Sequence, residues 1–137
     1  VIFLDTNILV DLLEGADTKE ADWSRRTLAV VAEDQPLVAN LIVAAELAGY
    51  SASPDRLEAS LADAEVELAD LSFAVAGRAG AAFQEYRRRG GPREAILSDF
   101  LIAAHAAVLG ATLMTRDRRL ASYFPDLTLL TPETDHG

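Results

Sequence analysis

Val1-Ile2-Phe3-Leu4-Asp5-Thr6-Asn7-Ile8-Leu9 opens the chain with four apolar residues running straight into an acid, a hydroxyl and an amide. Apolar residues then resume at helical spacing. The pattern predicts a buried parallel strand that ends at Asp5, followed by a short helix over residues 8–13. In an open parallel sheet, ligands sit beyond the carboxyl ends of the strands. Asp5 is therefore placed where chemistry is expected. Asp5 or Thr6 equally suits the cap of the following helix. The stretch by itself leaves both roles open.

The remaining chain repeats the strand–helix alternation. A polar break with Gly15 precedes a helix over residues 20–32, with Trp23, Leu28 and Val31 on its apolar stripe. Leu37-Val38-Ala39 reads as a strand, and Asn40 as the cap of a helix over residues 41–50. Ser53-Pro54 opens a helix ending near Ala64, with Pro54 suited to its first turn. Val66-Glu67-Leu68 is the third strand. Ser72 caps a helix to about Arg89, stopped by Gly90-Gly91-Pro92. Residues 98–109 form a helix apolar nearly all round, hence buried, and Gly110 terminates it. Residues 111–115 make the fourth strand, residues 118–123 a short helix and residues 127–130 the fifth strand. No tight hairpin signal occurs. The expected class is α/β with a mostly parallel sheet of five strands. One domain over residues 1–131 and a loose tail over 132–137 are expected.

The 137 residues, half of them apolar, suffice for a substantial core. No apolar run is long enough for a membrane span, which needs about 18 residues, and no cleavable leader is recognisable. The absence of cysteine excludes disulfides and thiolate metal sites and fits a cytoplasmic setting. A net charge of −10 argues against a broad phosphate-binding surface. Eleven of the twelve bases are arginine, concentrated at Arg87, Arg88, Arg89 and Arg93, and at Arg116, Arg118 and Arg119. Such clusters can meet an anion locally.

Four acids stand in apolar company. Glu46 is the sole charge in the helix of residues 41–50. Asp99 leads the apolar helix of residues 98–109. Asp117 follows the fourth strand as Asp5 follows the first. An unpaired buried carboxylate is costly, and neither apolar helix carries a base. If the acids converge, each pair about 5 Å apart repels by roughly 3 kcal/mol at an effective dielectric of 20. Several such pairs rival a domain's whole stability, about 5–15 kcal/mol. A divalent cation or partial protonation resolves this. Oxygen ligands without cysteine favour Mg²⁺ or Mn²⁺ over zinc. Each acid also has a purely structural role open to it. Asp99 can favour the helix dipole behind a Ser98 cap, and Asp117 can cap the next helix.

Asp5-Thr6-Asn7-Ile8-Leu9, Glu46 in Ala-Ala-Glu-Leu, Asp99 in Ser-Asp-Phe-Leu-Ile-Ala-Ala-His-Ala, and Thr115-Arg116-Asp117 together resemble the PIN-domain ribonucleases, most closely the VapC-type toxins of toxin–antitoxin pairs. The likeness spans essentially the whole chain, including Phe124 and Leu129-Leu130-Thr131-Pro132. It implies a three-layer α/β/α fold with a central parallel sheet and Mg²⁺- or Mn²⁺-dependent endoribonuclease activity. It also implies homodimerisation and inhibition by a cognate VapB-like antitoxin. By position, Asp5, Glu46, Asp99 and Asp117 correspond to the metal-binding acids, with Thr6, Asn7 and Thr115 as polar supports.

Phosphodiester hydrolysis by bound divalent ions requires no histidine base. His105 lies six residues after Asp99 and points away from it on a helix, which makes it structural. His136 sits in the expected tail. Arg116 is suited to phosphate contact or to fixing the site. Residues 87–93 face RNA phosphates, an antitoxin carboxylate or only solvent, and Trp23 fills the core or a groove for an antitoxin segment.

Three competing readings are weaker. A haloacid-dehalogenase-like phosphatase wants a second Asp where Asn7 stands. A receiver domain wants a late lysine, and the only lysine is Lys19. No glycine-rich nucleotide loop is present. A catalytically inactive PIN-like binding module is the remaining alternative, from a different functional class.

Overall fold

The computed structural model describes residues 1–50 and 53–134. Five strands, β1 (Ile2–Leu4), β2 (Leu37–Asn40), β3 (Val66–Ala69), β4 (Thr112–Met114) and β5 (Thr128–Leu130), form one sheet in the order β3-β2-β1-β4-β5. Every neighbouring pair is parallel. Parallel neighbours need crossovers, and helices supply all but the last. These are α1 (Thr6–Glu14), α2 (Lys19–Val31), α3 (Leu41–Ala48), α4 (Pro54–Asp63), α5 (Phe73–Arg88) and α6 (Leu97–Leu109). Right-handed connections put α1 to α4 on one face. The crossover from β3 to β4 runs the opposite way across the sheet and puts α5 and α6 on the other. The result is the expected three-layer α/β/α architecture.

The strand order fixes where ligands go. The chain leaves β1 towards β2 and β3, then returns to lay β4 on the other side of β1. The topological switch point therefore lies between β1 and β4, beyond their carboxyl ends. In that register Leu4 faces Met114, and the Asp5 N–H donates to the Met114 carbonyl at 3.0 Å. The residues after the two strands, Asp5 and Thr115, are thus brought side by side.

The core is continuous through both faces of the sheet, with Phe3, Leu4, Ile8, Leu9, Val43, Phe100 and Met114 fully buried. Trp23 is partly buried against it. Asn40 shows how tightly the interior is specified. Its Oδ1 accepts from the Val43 N–H at 2.9 Å, capping α3, which turns its Nδ2 towards His105 Nδ1 at 3.0 Å. An amide nitrogen only donates. His105 Nδ1 therefore accepts, and its proton sits on Nε2. Burial pushes the imidazole pKa down, so the ring is neutral, packed at a tilt against Phe3 with centroids 5.2 Å apart. His105 is a structural residue.

Several boundaries differ from the expected ones, each for a local reason. α1 begins at Thr6, not residue 8, because the Asp5 carboxylate caps it, and it ends on Gly15 in the left-handed region. α2 begins at Lys19, capped by the Thr18 hydroxyl on the Ala21 N–H. α6 starts at Leu97 without a Ser98 cap, because the Ser98 hydroxyl points to Glu46. The apolar circumference of α6 is not wholly buried: Leu97, Val108 and Leu109 are exposed at its two ends. The helix expected over residues 118–123 shrinks to one 3₁₀ turn, Ala121–Tyr123. After β5, Thr131 is buried and exchanges hydrogen bonds with Thr134. His136 and the end of the expected tail lie outside the described residues. No described helix is long and apolar enough to cross a membrane.

Candidate active site

Asp5 stands at the switch point, the last residue before α1, and its two oxygens have separate duties. Oδ1 accepts from the Thr6 N–H at 2.7 Å, closing the cap. Oδ2 accepts from the Thr115 hydroxyl at 2.7 Å and from Asn7 Nδ2 at 3.3 Å. The helix-cap and site roles left open by the sequence are therefore compatible. Burial pushes the Asp5 carboxyl pKa up. Hydrogen bonds from Thr115 and Thr6 oppose that shift, while the charges of Asp99 and Glu46 add to it.

Glu46 enters from α3. The Thr6 hydroxyl donates to its Oε1 at 2.6 Å, and the Ser98 hydroxyl approaches Oε2 at 3.4 Å. Three elements are thereby tied together: the start of α1, the middle of α3 and the first turn of α6. Asp99, one residue beyond Ser98, accepts from the Ile96 N–H on Oδ2 at 2.9 Å. Asp5, Asp99 and Asp117 line a single cavity. The rest of its lining is apolar and includes Ile102, Leu113, Leu120 and Leu129.

Asp117 is held differently from the other three acids. Its Oδ1 accepts from the Arg119 N–H at 2.9 Å. Its Oδ2 accepts from Arg119 Nε at 2.8 Å and pairs with the far guanidinium nitrogen at 2.7 Å. Burial pushes the Asp117 carboxyl up, but Arg119 outweighs it and holds the pKa below the usual range. The Thr115 hydroxyl accepts from the Asp117 N–H at 2.9 Å, joining this loop to Asp5.

The polar supports form one network. Asn7 Oδ1 accepts from the Arg116 N–H at 3.1 Å, across the gap between α1 and the loop after β4. The Arg116 guanidinium turns away from the cavity and forks onto Asp11, with Nε to Oδ2 at 2.8 Å and a second contact at 3.1 Å. Ser24 of α2 donates to the same carboxylate. Arg116 thus binds Asp11 with its side chain and Asn7 with its backbone. Three participants were not anticipated. Asp11 was hidden inside the apolar stretch of residues 8–13, Ser98 resembled a cap, and Arg119 was one member of a cluster. Asp11 did carry a signal, being the single acid within an otherwise apolar helical face.

The donor set fits a hard divalent ion in its chemistry: carboxylate oxygens, facing carboxylates and no cationic side chain on Asp5 or Glu46. The geometry is not that of a closed ligand shell. Among the described residues, no three Asp, Glu or His side chains stand close enough to hold one ion together. Asp117 would have to release Arg119 to join one.

A family model described as PIN domain matches residues 2–123. A comparison with curated proteins gives no match. Among solved structures, the chain is similar to VapBC2 from Rickettsia felis bound to a promoter DNA fragment. That match has a TM-score of 0.71 and 24% identity, and covers 95% of this chain and 97% of that one. A toxin–antitoxin complex from Klebsiella pneumoniae matches with TM-score 0.67 and 25% identity, covering 96% and 98%. VapBC-1 from nontypeable Haemophilus influenzae matches with TM-score 0.71 and 23% identity, covering 95% and 96%. The family match runs from β1 through the 3₁₀ turn and so takes in all four acids, and these structures share its fold: the chain belongs to the PIN domain family.

Proposed function

We propose that this chain is a Mg²⁺- or Mn²⁺-dependent endoribonuclease and the VapC-type toxin of a toxin–antitoxin pair. The observation that carries the reading is Asp5, Asp99 and Asp117 lining one cavity at the switch point, with Glu46 tied to the same corner through Thr6. Membership of the PIN domain family and the toxin–antitoxin neighbours support it. In this reading the protein acts in the cytoplasm, as a homodimer or within a hetero-oligomer with a VapB-like antitoxin. One domain spans residues 1–131.

Asp5, Glu46, Asp99 and Asp117 would hold the cation, which when bound activates water and relieves charge on the phosphoryl oxygens. The protein's own residues supply the positioning. Thr115 and Asn7 fix the outer oxygen of Asp5. Thr6 and Ser98 orient Glu46 from two helices, which leaves it suited to direct a water. Arg119, once displaced from Asp117, stands beside Asp99 to meet a phosphate.

The test is cleavage of cellular RNA by purified protein in Mg²⁺, Mn²⁺ or EDTA, beside Asp5→Asn. Metal-dependent cuts that vanish in the variant are expected. Full cleavage by Asp5→Asn, or in EDTA, overturns the assignment. A second reading, an inactive PIN-like binding module, draws on the Arg119 clamp and the absence of any three converged acids among the described residues. It predicts no cleavage by folded protein free of antitoxin.

A further inference from the structure

The arginines of α5 and the loop after it are not equivalent. Arg88 and Arg89 both pair with Glu85, and Arg89 also lies over the Tyr123 ring at 5.0 Å. Arg87 and Arg93 have no carboxylate within ion-pair distance among the described residues. Arg87 lies over the Phe83 ring at 5.8 Å. The two arginines share one open groove with Phe83, Tyr86, Pro92 and Ile96. In a chain of net charge −10, two unneutralised guanidiniums on one aromatic groove are a local exception to the overall field.

The groove is built rather than a frayed helix end. Gly90 turns the chain at φ +73°. The Gly91 N–H donates to the Tyr86 carbonyl at 2.9 Å. A Cβ at Gly91 would stand 2.5 Å from the Tyr86 ring, so only glycine lets the loop lie flat on it. The Tyr86 hydroxyl donates to the Pro92 carbonyl. These contacts hold Arg93 beside Arg87 without spending either guanidinium. The groove ends at Ile96, whose N–H is bonded to the Asp99 carboxylate, so it runs directly to the rim of the acidic cavity.

We propose that the groove formed by Phe83, Tyr86, Arg87, Arg93 and Ile96 carries the single-stranded RNA segment that flanks the scissile phosphate. Arg87 and Arg93 contact two phosphates, and the exposed Ile96 with the half-buried Phe83 offers apolar surface to an unstacked base. The inference rests on the nuclease reading above. An acidic protein segment would also answer the arginines, but the path through Ile96 to Asp99 favours a nucleic acid.

The experiment is fluorescence anisotropy of a labelled, mixed-sequence single-stranded RNA with the full chain in EDTA, across a salt series. Wild type, Arg87→Ala/Arg93→Ala, and Arg56→Ala as a distant control are compared, with thermal melting to confirm folding. The double variant should bind about tenfold more weakly, and its salt slope should flatten by ~1.4, as losing two phosphate contacts on a single strand requires. Arg56→Ala should match wild type. Unchanged affinity and slope in the double variant overturn the proposal while leaving the nuclease reading intact. If wild type binds no RNA and yields no metal-dependent cuts, both fail together. Binding of a polyglutamate peptide that the double variant loses, while its RNA binding persists, assigns the groove to an acidic protein partner and overturns the proposal.

Discussion

Asp5 and Asp11 lie six residues apart around helix α1, both withdrawn from bulk water, and their surroundings are opposite. Asp11, 5% exposed, receives a forked arginine and a serine hydroxyl. Asp5 receives two hydroxyl- or amide-bearing neighbours and one backbone N–H, and faces Asp99 and Glu46 with no cation. The first carboxylate is neutralised by the fold. The second has no cationic partner among the described residues, which is the condition its proposed metal role requires. Burial without a counter-charge, not burial alone, is what makes an acid a candidate site residue.

Removing the paired acid should produce the largest change in stability. Asp11→Ala strands the Arg116 guanidinium and the Ser24 hydroxyl, at a cost of about 3 kcal/mol. Chemical denaturation would read this as a lower midpoint with an unchanged slope. Activity should fall by about tenfold in addition, because Arg116 holds Asn7 in place. An unchanged midpoint would show that the pair contributes nothing to folding.

The unpaired acid should respond in the opposite direction. With its folded pKa above the unfolded value, ionised Asp5 costs stability at neutral pH, and protonation at lower pH favours the folded state. Asp5→Asn should therefore abolish metal-dependent cleavage without lowering the unfolding midpoint at neutral pH. A destabilised Asp5→Asn would mean the carboxylate is held by its hydrogen bonds, and the contrast with Asp11 would collapse.

Asp117 lies between these cases, since its partner Arg119 is partly exposed and on the same loop. Arg119→Ala should release the carboxylate and tighten Mn²⁺ binding by about fivefold, close to 1 kcal/mol, in calorimetric titration. Weaker binding would place Arg119 among the groups that support the site.

The smallest effect concerns His105. Its folded pKa lies below the unfolded value of about 6.5. Its neutral burial therefore stabilises the protein fully above that pH, and the contribution is lost as pH falls through 6.5. His105→Gln should be less stable throughout but should lose less between pH 7.5 and 5.5. Parallel curves for the two proteins would show that His105 titrates normally.

The alternation of strands and helices was legible because β1 and β2 are short apolar runs that end on a capping residue, at Leu4-Asp5 and Ala39-Asn40, and the other strands are short runs separated by helical periodicity. The candidate acids were legible because each is isolated among apolar residues, which burial penalises. The roles of Arg119 and Ser98 were not legible, and Asp11, though isolated among apolar residues, gave no sign of its partner. In each case the partner is distant in the chain or is chosen by the turn geometry, as with Asp11 and Arg116 across 105 positions of sequence separation. The expected helix over residues 118–123 failed for a related reason: the loop's hydrogen bonds go to Thr115 and Asp117, leaving only one 3₁₀ turn.

The sequence by itself determined the elements, the parallel class of the sheet and the identity of the isolated acids, because periodicity, caps and the cost of buried charge are local properties. Tertiary structure decided the order β3-β2-β1-β4-β5, and with it the juxtaposition of Asp5 with Thr115. It also decided which acid is neutralised and which is not. That choice depends on which guanidinium reaches which carboxylate across the sheet, and electrostatic energy is set by distance in space, not by separation along the chain.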